Sequence, residues 1–201
     1  MSSRTLSSRF LHHFVQTISS ELGQDNLTIV LEKAGLPTDW SDPARWENRN
    51  GRAAAEAYAS LQKAMRTYYG RGARGILIRV GGNLWNRLLG DSSLAVKAQS
   101  KILFGLPANA RRKAALELFA KLLSAQRGDV TVHTLDLDLL LADQASPGTL
   151  GQNEKERICY VTLGLLRECL YWATGQEYDI EETSCRATGE DACEFKVITG
   201  G

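Results

Sequence analysis

Apolar positions recur at helical spacing through the first two thirds of the chain and switch to alternation in the last third. Phe10, Phe14 and Ile18, beside Leu11, Val15 and Leu22, line one face and predict an amphipathic helix over residues 10–22 that Gly23 ends. Asp25 is placed to cap a second, short helix running to Lys33, terminated by Gly35 and Pro37. Residues 38–51, with Trp40 and Trp46, carry no period and read as an ordered loop. Helices are expected over residues 52–69, 72–89, 92–103 and 107–126, the last with Pro107 in its first turn and Gly128 just past its end. Gly75, Gly81 and Gly82 each cost their helix about 1 kcal/mol of propensity, which signals close approach of another backbone.

Beyond Gly128 the period becomes two. Val130 and Val132, then Leu135, Leu137 and Leu139, alternate with polar residues, but the phase slips at His133 and Thr134, as in a strand pair or one bulged strand. A Ser-Pro-Gly loop over residues 144–152 leads into a helix over 154–173, apolar on most sides and ended by Gly175. Residues 178–187 and 192–198 form a closing hairpin around Gly189. The expected fold class is α+β (α/β mixed): one domain over residues 1–201, its helical N-terminal two thirds packed on a small antiparallel sheet from residues 129–198.

Charge narrows the partners. Lys and Arg number 24 against 23 Asp and Glu, so the whole chain lacks the basic excess that drives nucleic-acid binding, and none is expected. Nor is a membrane span, because nothing approaches the roughly 18 consecutive apolar residues it requires. The segment 1–20 is rich in Ser and Arg and free of acids, as targeting segments are, although its helical spacing is that of a packing helix. With no secretory signal the expected location is the cytoplasm, and residues 1–23 are a candidate contact for a homodimer.

All four cysteines lie at 159, 169, 185 and 193, where a reducing compartment favours metal binding or burial over disulfides. Pairing the last two strands about Gly189 sets Cys185 opposite Cys193, near enough for two thiolates to share an ion, and a buried helix carrying Cys159 can bring a third. Glu182 can complete the shell if a bulge or strand end intervenes, since its odd spacing from Cys185 puts the two on opposite faces of a regular strand. Without a Cys-x-x-Cys pair, the spacing alone equally suits three buried cysteines acting as small hydrophobes. Cys169, about 80° around the same helix from Cys159, is assigned to the core.

Gly164-Leu165-Leu166-Arg167-Glu168, Trp172 and the run Glu181-Glu182-Thr183-Ser184-Cys185-Arg186-Ala187-Thr188-Gly189-Glu190-Asp191-Ala192-Cys193-Glu194-Phe195 resemble the signature of 4-vinyl reductase (V4R) domains. Ala34-Gly35-Leu36 and Tyr69-Gly70-Arg71-Gly72-Ala73-Arg74 are similar to stand-alone bacterial members of that family. The resemblance implies kinship to Bet3-like vesicle-tethering subunits and to sensor domains of phenol-responsive activators. It also implies a structural Zn²⁺ held by Cys159, Glu182, Cys185 and Cys193. Stand-alone members often carry a further cysteine pair where this chain has Ala142-Asp143-Gln144-Ala145-Ser146 and Pro147-Gly148, so a second metal is not implied.

The remaining candidates carry little chemistry. His12 and His13 are adjacent and cannot face one site on a helix, and Asp136 and Asp138 alternate with leucines like the solvated face of a strand. Arg111-Arg112-Lys113 opens a helix, where positive charge opposes the dipole, and reads as a solvated face or a contact for an acidic partner. Trp85 with Leu88, and Trp172 with Tyr171, are aromatic clusters that either line a ligand pocket or pack in the core. The expected function is a non-catalytic sensor or carrier for a hydrophobic small molecule. The alternatives are a bacteriochlorophyll 4-vinyl reductase or tetrapyrrole-delivery factor, which the family's name implies, and a structural assembly subunit.

Overall fold

The computed structural model describes residues 4–46 and 49–199, so residues 1–3 of the amphipathic N-terminal segment lie outside the described residues. Among the described residues, seven α-helices precede and interrupt a four-stranded antiparallel sheet of order β1-β2-β4-β3. The helices are α1 (Ser8–Leu22), α2 (Gln24–Lys33), α3 (Gly51–Tyr69), α4 (Ala73–Gly90), α5 (Leu94–Phe104), α6 (Ala108–Leu123) and α7 (Tyr160–Thr174); the strands are β1 (Val130–Leu135), β2 (Asp138–Asp143), β3 (Asp179–Ser184) and β4 (Cys193–Ile198). No helix among the described residues is long and apolar enough to cross a membrane.

The apolar stripe of α1 behaves as its spacing predicts, with Phe10, Leu11, Phe14, Val15 and Ile18 all buried in the domain's own core. That face is therefore consumed within the chain, and a dimer contact through α1 would have to use its polar side. Gly23, with φ 83°, serves as N-cap of α2, and Asp25 sits inside the first turn, where its charge complements the helix dipole instead of capping it. In the 38–51 loop, two 3₁₀ turns hold Trp40 against Trp46, whose indole N–H donates to the Trp40 carbonyl at 2.6 Å.

The glycine signal in α4 resolves into one close contact. A Cβ on Gly81 would stand 2.2 Å from the Val161 carbonyl oxygen, and one on Gly164 of α7 would stand 2.0 Å from the Ile78 carbonyl oxygen. Helices α4 and α7 thus touch backbone to backbone, each using a glycine as the seat for the other. Gly75 has open space instead.

The sheet shows where period-two reading is ambiguous. The phase slip is a strand pair: β1 and β2 join through a two-residue turn at Asp136 (φ 51°) and Leu137, which is 78% exposed at the tip. Asp136 is thus the turn residue, and Asp138 faces Lys196 at 3.0 Å and accepts from the Thr199 N–H, so the two do not form a strand's solvated face. Along β4, Cys193, Phe195 and Val197 alternate inward.

Two helix ends differ from expectation. α6 stops at Leu123, and α7 begins six residues later than its apolar run suggests, at Tyr160. The stretch before it is held to the closing hairpin by Glu154 N–H donating to the Ala187 carbonyl at 2.8 Å. Cys159 becomes the N-cap residue of α7 in place of an interior position, which turns its sulfur toward the hairpin.

Candidate metal centre

Three chain segments converge at one end of the sheet. Cys159 arrives from the start of α7, Glu182 from β3, and Cys185 and Cys193 flank the turn between β3 and β4. Between Glu182 and Ser184 the β3–β4 register shifts. That irregularity brings Glu182 to the same side as Cys185, as the odd spacing required. The turn closes through the 3₁₀ residues Arg186–Thr188 and Gly189, whose φ of 101° suits a residue without Cβ.

Ligand atoms of the four side chains lie within 4.8 Å of one another, and all four residues are buried. Cys159 Sγ is 3.3 Å from Cys193 Sγ and 3.8 Å from Cys185 Sγ, and Cys193 to Cys185 is 3.9 Å. Zn–S bonds of about 2.3 Å in a tetrahedron place sulfurs about 3.8 Å apart, so the triad has the span of a tetrahedral face. Among the described residues this is the one cluster of three or more His, Cys, Asp or Glu so arranged.

The four side chains share one desolvated space, which sets their proton affinities. Burial pushes the Glu182 carboxyl up to about 8, with the Cys185 sulfur adding in the same direction. One of its oxygens accepts the Cys159 N–H at 3.2 Å; the other, Oε1, is buried without a partner. Hydrogen bonds from Cys159 and Cys193, and from the Ile158 and Ala187 N–H groups, hold Cys185 far below the ordinary thiol range. Hydrogen bonding to Cys185 pushes Cys159 well above it. For Cys193 the Cys159 contact lowers the value, but hydrogen bonding to Cys185 and burial outweigh it and carry it to about 12. The hydrogen bonds thus favour the thiolate at Cys185 over Cys159 and Cys193, beside a buried carboxyl with one unpartnered oxygen. A bound divalent cation reverses that balance, because it stabilises every ligand in its deprotonated form. The donor set fits zinc.

Two neighbours support the cluster and were not singled out by the sequence. Ser146 is buried in a left-handed conformation (φ 35°), with its Oγ 3.0 Å from Cys193 Sγ and 3.8 Å from Cys159 Sγ. Asp143 Oδ1 imposes that geometry by accepting the Ala145 and Ser146 N–H groups at 3.1 and 2.6 Å. The signal was present locally, as an Asp three residues before a Ser that precedes Pro147. Cys169 lies apart, fully buried, its thiol donating to the Ala115 carbonyl.

The aromatic candidates do not gather around a cavity. Trp85 and Leu88 are buried, Trp85 packs against Phe119 and Trp172 at centroid distances of 5.9 and 5.8 Å, and Phe104 meets Trp172 at 5.1 Å. Tyr171 instead projects outward, 52% exposed, into a surface groove with Arg167, Glu168 and Tyr178. Arg111, half-buried, is turned back to donate to the Phe104 and Leu106 carbonyls, closing the end of α5.

Comparison with known proteins places the cluster in a family context. The model of the V4R domain matches residues 145–199, the stretch that supplies all four candidate ligands. Over these residues the chain is similar to the V4R domain family. Its whole fold is similar to H-NOX structures: an S. oneidensis H-NOX protein in the Fe(II)NO ligation state has a TM-score of 0.57 at 14% identity, covering 98% of this chain and 100% of that one. An oxygen-binding H-NOX domain related to soluble guanylate cyclases gives 0.53 at 14%, covering 96% and 93%. At such identity the likeness is one of fold. No curated protein matches. The histidines offer no buried ligand for a haem. His13 is tied to Asp91 at 2.9 Å, His12 stacks edge-on against it, and His133 is exposed on β1 beside Thr131, so none of the three lies in the core. A partly enclosed cavity lined by Tyr58, Ser146 and Cys159 has a volume of about 20 Å³, room for one water-sized group, and a more open cleft of about 640 Å³ is lined by Tyr160, Glu182 and Cys185.

Proposed function

We propose that this chain is a non-catalytic sensor or carrier module for a hydrophobic small molecule, in the cytoplasm, with one structural Zn²⁺ held by Cys159, Glu182, Cys185 and Cys193. The observation that carries the metal assignment is the unpartnered, buried Glu182 Oε1 beside three sulfurs at tetrahedral spacing. Four protein ligands leave no open position, so the ion serves as a staple between the closing hairpin and α7 and not as a Lewis acid.

The ligand-recognising element in this reading is the aromatic cluster of Trp85, Trp172, Phe119 and Phe104, with the buried Leu88 on the same helix as Trp85, while Tyr171 faces the outer groove of α7. Trp85 Nε1 is a buried donor without a partner, which favours a ligand that is largely apolar and bears one acceptor. The cluster is closed in this structure, so entry requires α5, which lends Phe104, to move.

Elemental analysis of the purified chain should find one equivalent of zinc, lost in Cys185→Ser. Native mass spectrometry should find a co-purifying organic species in the natural chain and less of it in Trp85→Phe. Finding neither metal nor organic ligand would overturn the reading.

A further inference from the structure

We propose that the outer face of α5 docks on an anionic lipid surface. Helix α5 sends only Val96 and Leu103 into the core. Its opposite side carries Leu94 at 85% exposure and Ile102 at 69%, with Phe104 at 46% beside them. Leu94, Ala98 and Ile102 follow at i, i+4 and i+8 and form one outward stripe, while Lys97 and Lys101 run alongside it at the same spacing. The helix holds no acid; before it, Asp91 is paired with Arg9 and His13.

Bulk neutrality hides a local asymmetry. Residues 94–123 contain six basic residues (Lys97, Lys101, Arg111, Arg112, Lys113 and Lys121) against the single acid Glu117, within a chain whose net charge is +1. A lysine-flanked apolar stripe on an exposed helix face is the pattern of a helix lying in the headgroup boundary of a bilayer, where the apolar side chains sink and the ammonium groups meet phosphate.

Other occupants leave part of the pattern unexplained. A helical peptide in the neighbouring α5–α6 groove would touch Ile102, Leu103, Leu106 and Leu118 but leave Leu94, which does not line it, in water. Nucleic acid would engage the lysines and leave both apolar side chains exposed. A symmetric second copy would press Lys97 and Lys101 against their own like charges. A deformable anionic surface satisfies all of them at once, and the proposal stands independently of the zinc assignment.

Co-sedimentation of the full chain with phosphatidylglycerol-containing vesicles, and with phosphatidylcholine vesicles alone, tests this. The natural chain should bind the anionic vesicles, less at high salt, and should ignore the neutral ones. Each of Lys97→Gln and Lys101→Gln should weaken partitioning about fivefold, the equivalent of one lysine near an anionic surface. Leu94→Ser with Ile102→Ser should abolish binding; all four side chains are exposed, and thermal melting confirms that each variant stays folded. The proposal fails if anionic vesicles are not bound, if neutral vesicles bind equally well, or if the variants bind as the natural chain does. It fails equally if Leu94→Ser with Ile102→Ser converts a dimer to a monomer in sedimentation, which would identify a second copy as the occupant.

Discussion

Replacing Gly164 by Ala tests the backbone contact that joins α7 to α4. The new Cβ would lie 2.0 Å from the Ile78 carbonyl oxygen, 2.8 Å from its carbon and 3.0 Å from its Cα. Ordinary carbon–oxygen contacts are about 3.3 Å, so α4 and α7 must separate by more than 1 Å. The obstruction is backbone in the middle of a helix and cannot swing aside as a side-chain tip would. Overpacking of this kind costs up to about 3 kcal/mol, and the better helix propensity of Ala returns about 1 kcal/mol. The net loss of about 2 kcal/mol corresponds to a fall in Tm of about 4–8 °C for a chain of this length. Thermal unfolding followed by circular dichroism, with zinc held constant, reads the effect. Gly75→Ala, on α4 with nothing within 4 Å of its added Cβ, is the control and should raise Tm. In a double variant with Gly81→Ala the losses should be less than additive, because one separation relieves both contacts. A Gly164→Ala protein that melts at or above the natural temperature would refute the close contact, and with it the reason for glycine at both positions.

Removing zinc with a chelator, or substituting Cys185 by Ser, should lower thermal stability by several kcal/mol, since metal-binding free energy at such a site is folding free energy; equal melting of loaded and stripped protein would contradict this. Ser146→Ala should leave the cobalt-substituted spectrum essentially tetrahedral but weaken metal affinity about 10- to 100-fold, as loss of a group supporting a ligand does; titration against a competing chelator measures it. Asp143 gives a pH signature. Burial lifts its carboxyl to about 6 from 3.8 despite the Ser146 and Ala145 N–H bonds, so the fold favours the neutral acid. The associated stability is present below pH 3.8 and is lost as pH rises toward 6, amounting to at most about 3 kcal/mol. Asp143→Asn, which keeps the accepting oxygen, should flatten that decline in urea unfolding of metal-free protein. A natural chain no less stable at pH 7 than at pH 4, relative to this variant, would argue against it.

Much of the architecture was legible because its causes are local. The stripe of α1, the Pro107 start of α6 and the Gly175 stop of α7 each rest on a few neighbouring residues, and the structure keeps them. Asp136 is a different case. Leu135, Leu137 and Leu139 alternate straight through it after the slip at His133 and Thr134, so pattern alone could not tell a strand pair from one bulged strand, and only pairing of β1 with β2 decided. The late start of α7 was hidden for a related reason, since residues 154–159 are held by the closing hairpin, far along the chain.

The amino-acid sequence by itself determined the helical front, the sheet at the rear, the hairpin that sets Cys185 against Cys193, and the need for an irregularity between Glu182 and Cys185. These follow from side-chain period and turn chemistry, which act over a few residues. Tertiary structure alone decided that Glu182 keeps an unpartnered oxygen beside three sulfurs, that Ser146 is bent against Cys193, and that Trp85 is sealed inside while Leu94 and Ile102 stay outside. Burial, desolvation and the seating of one backbone on another depend on what distant segments bring to the same place, and no local pattern encodes that.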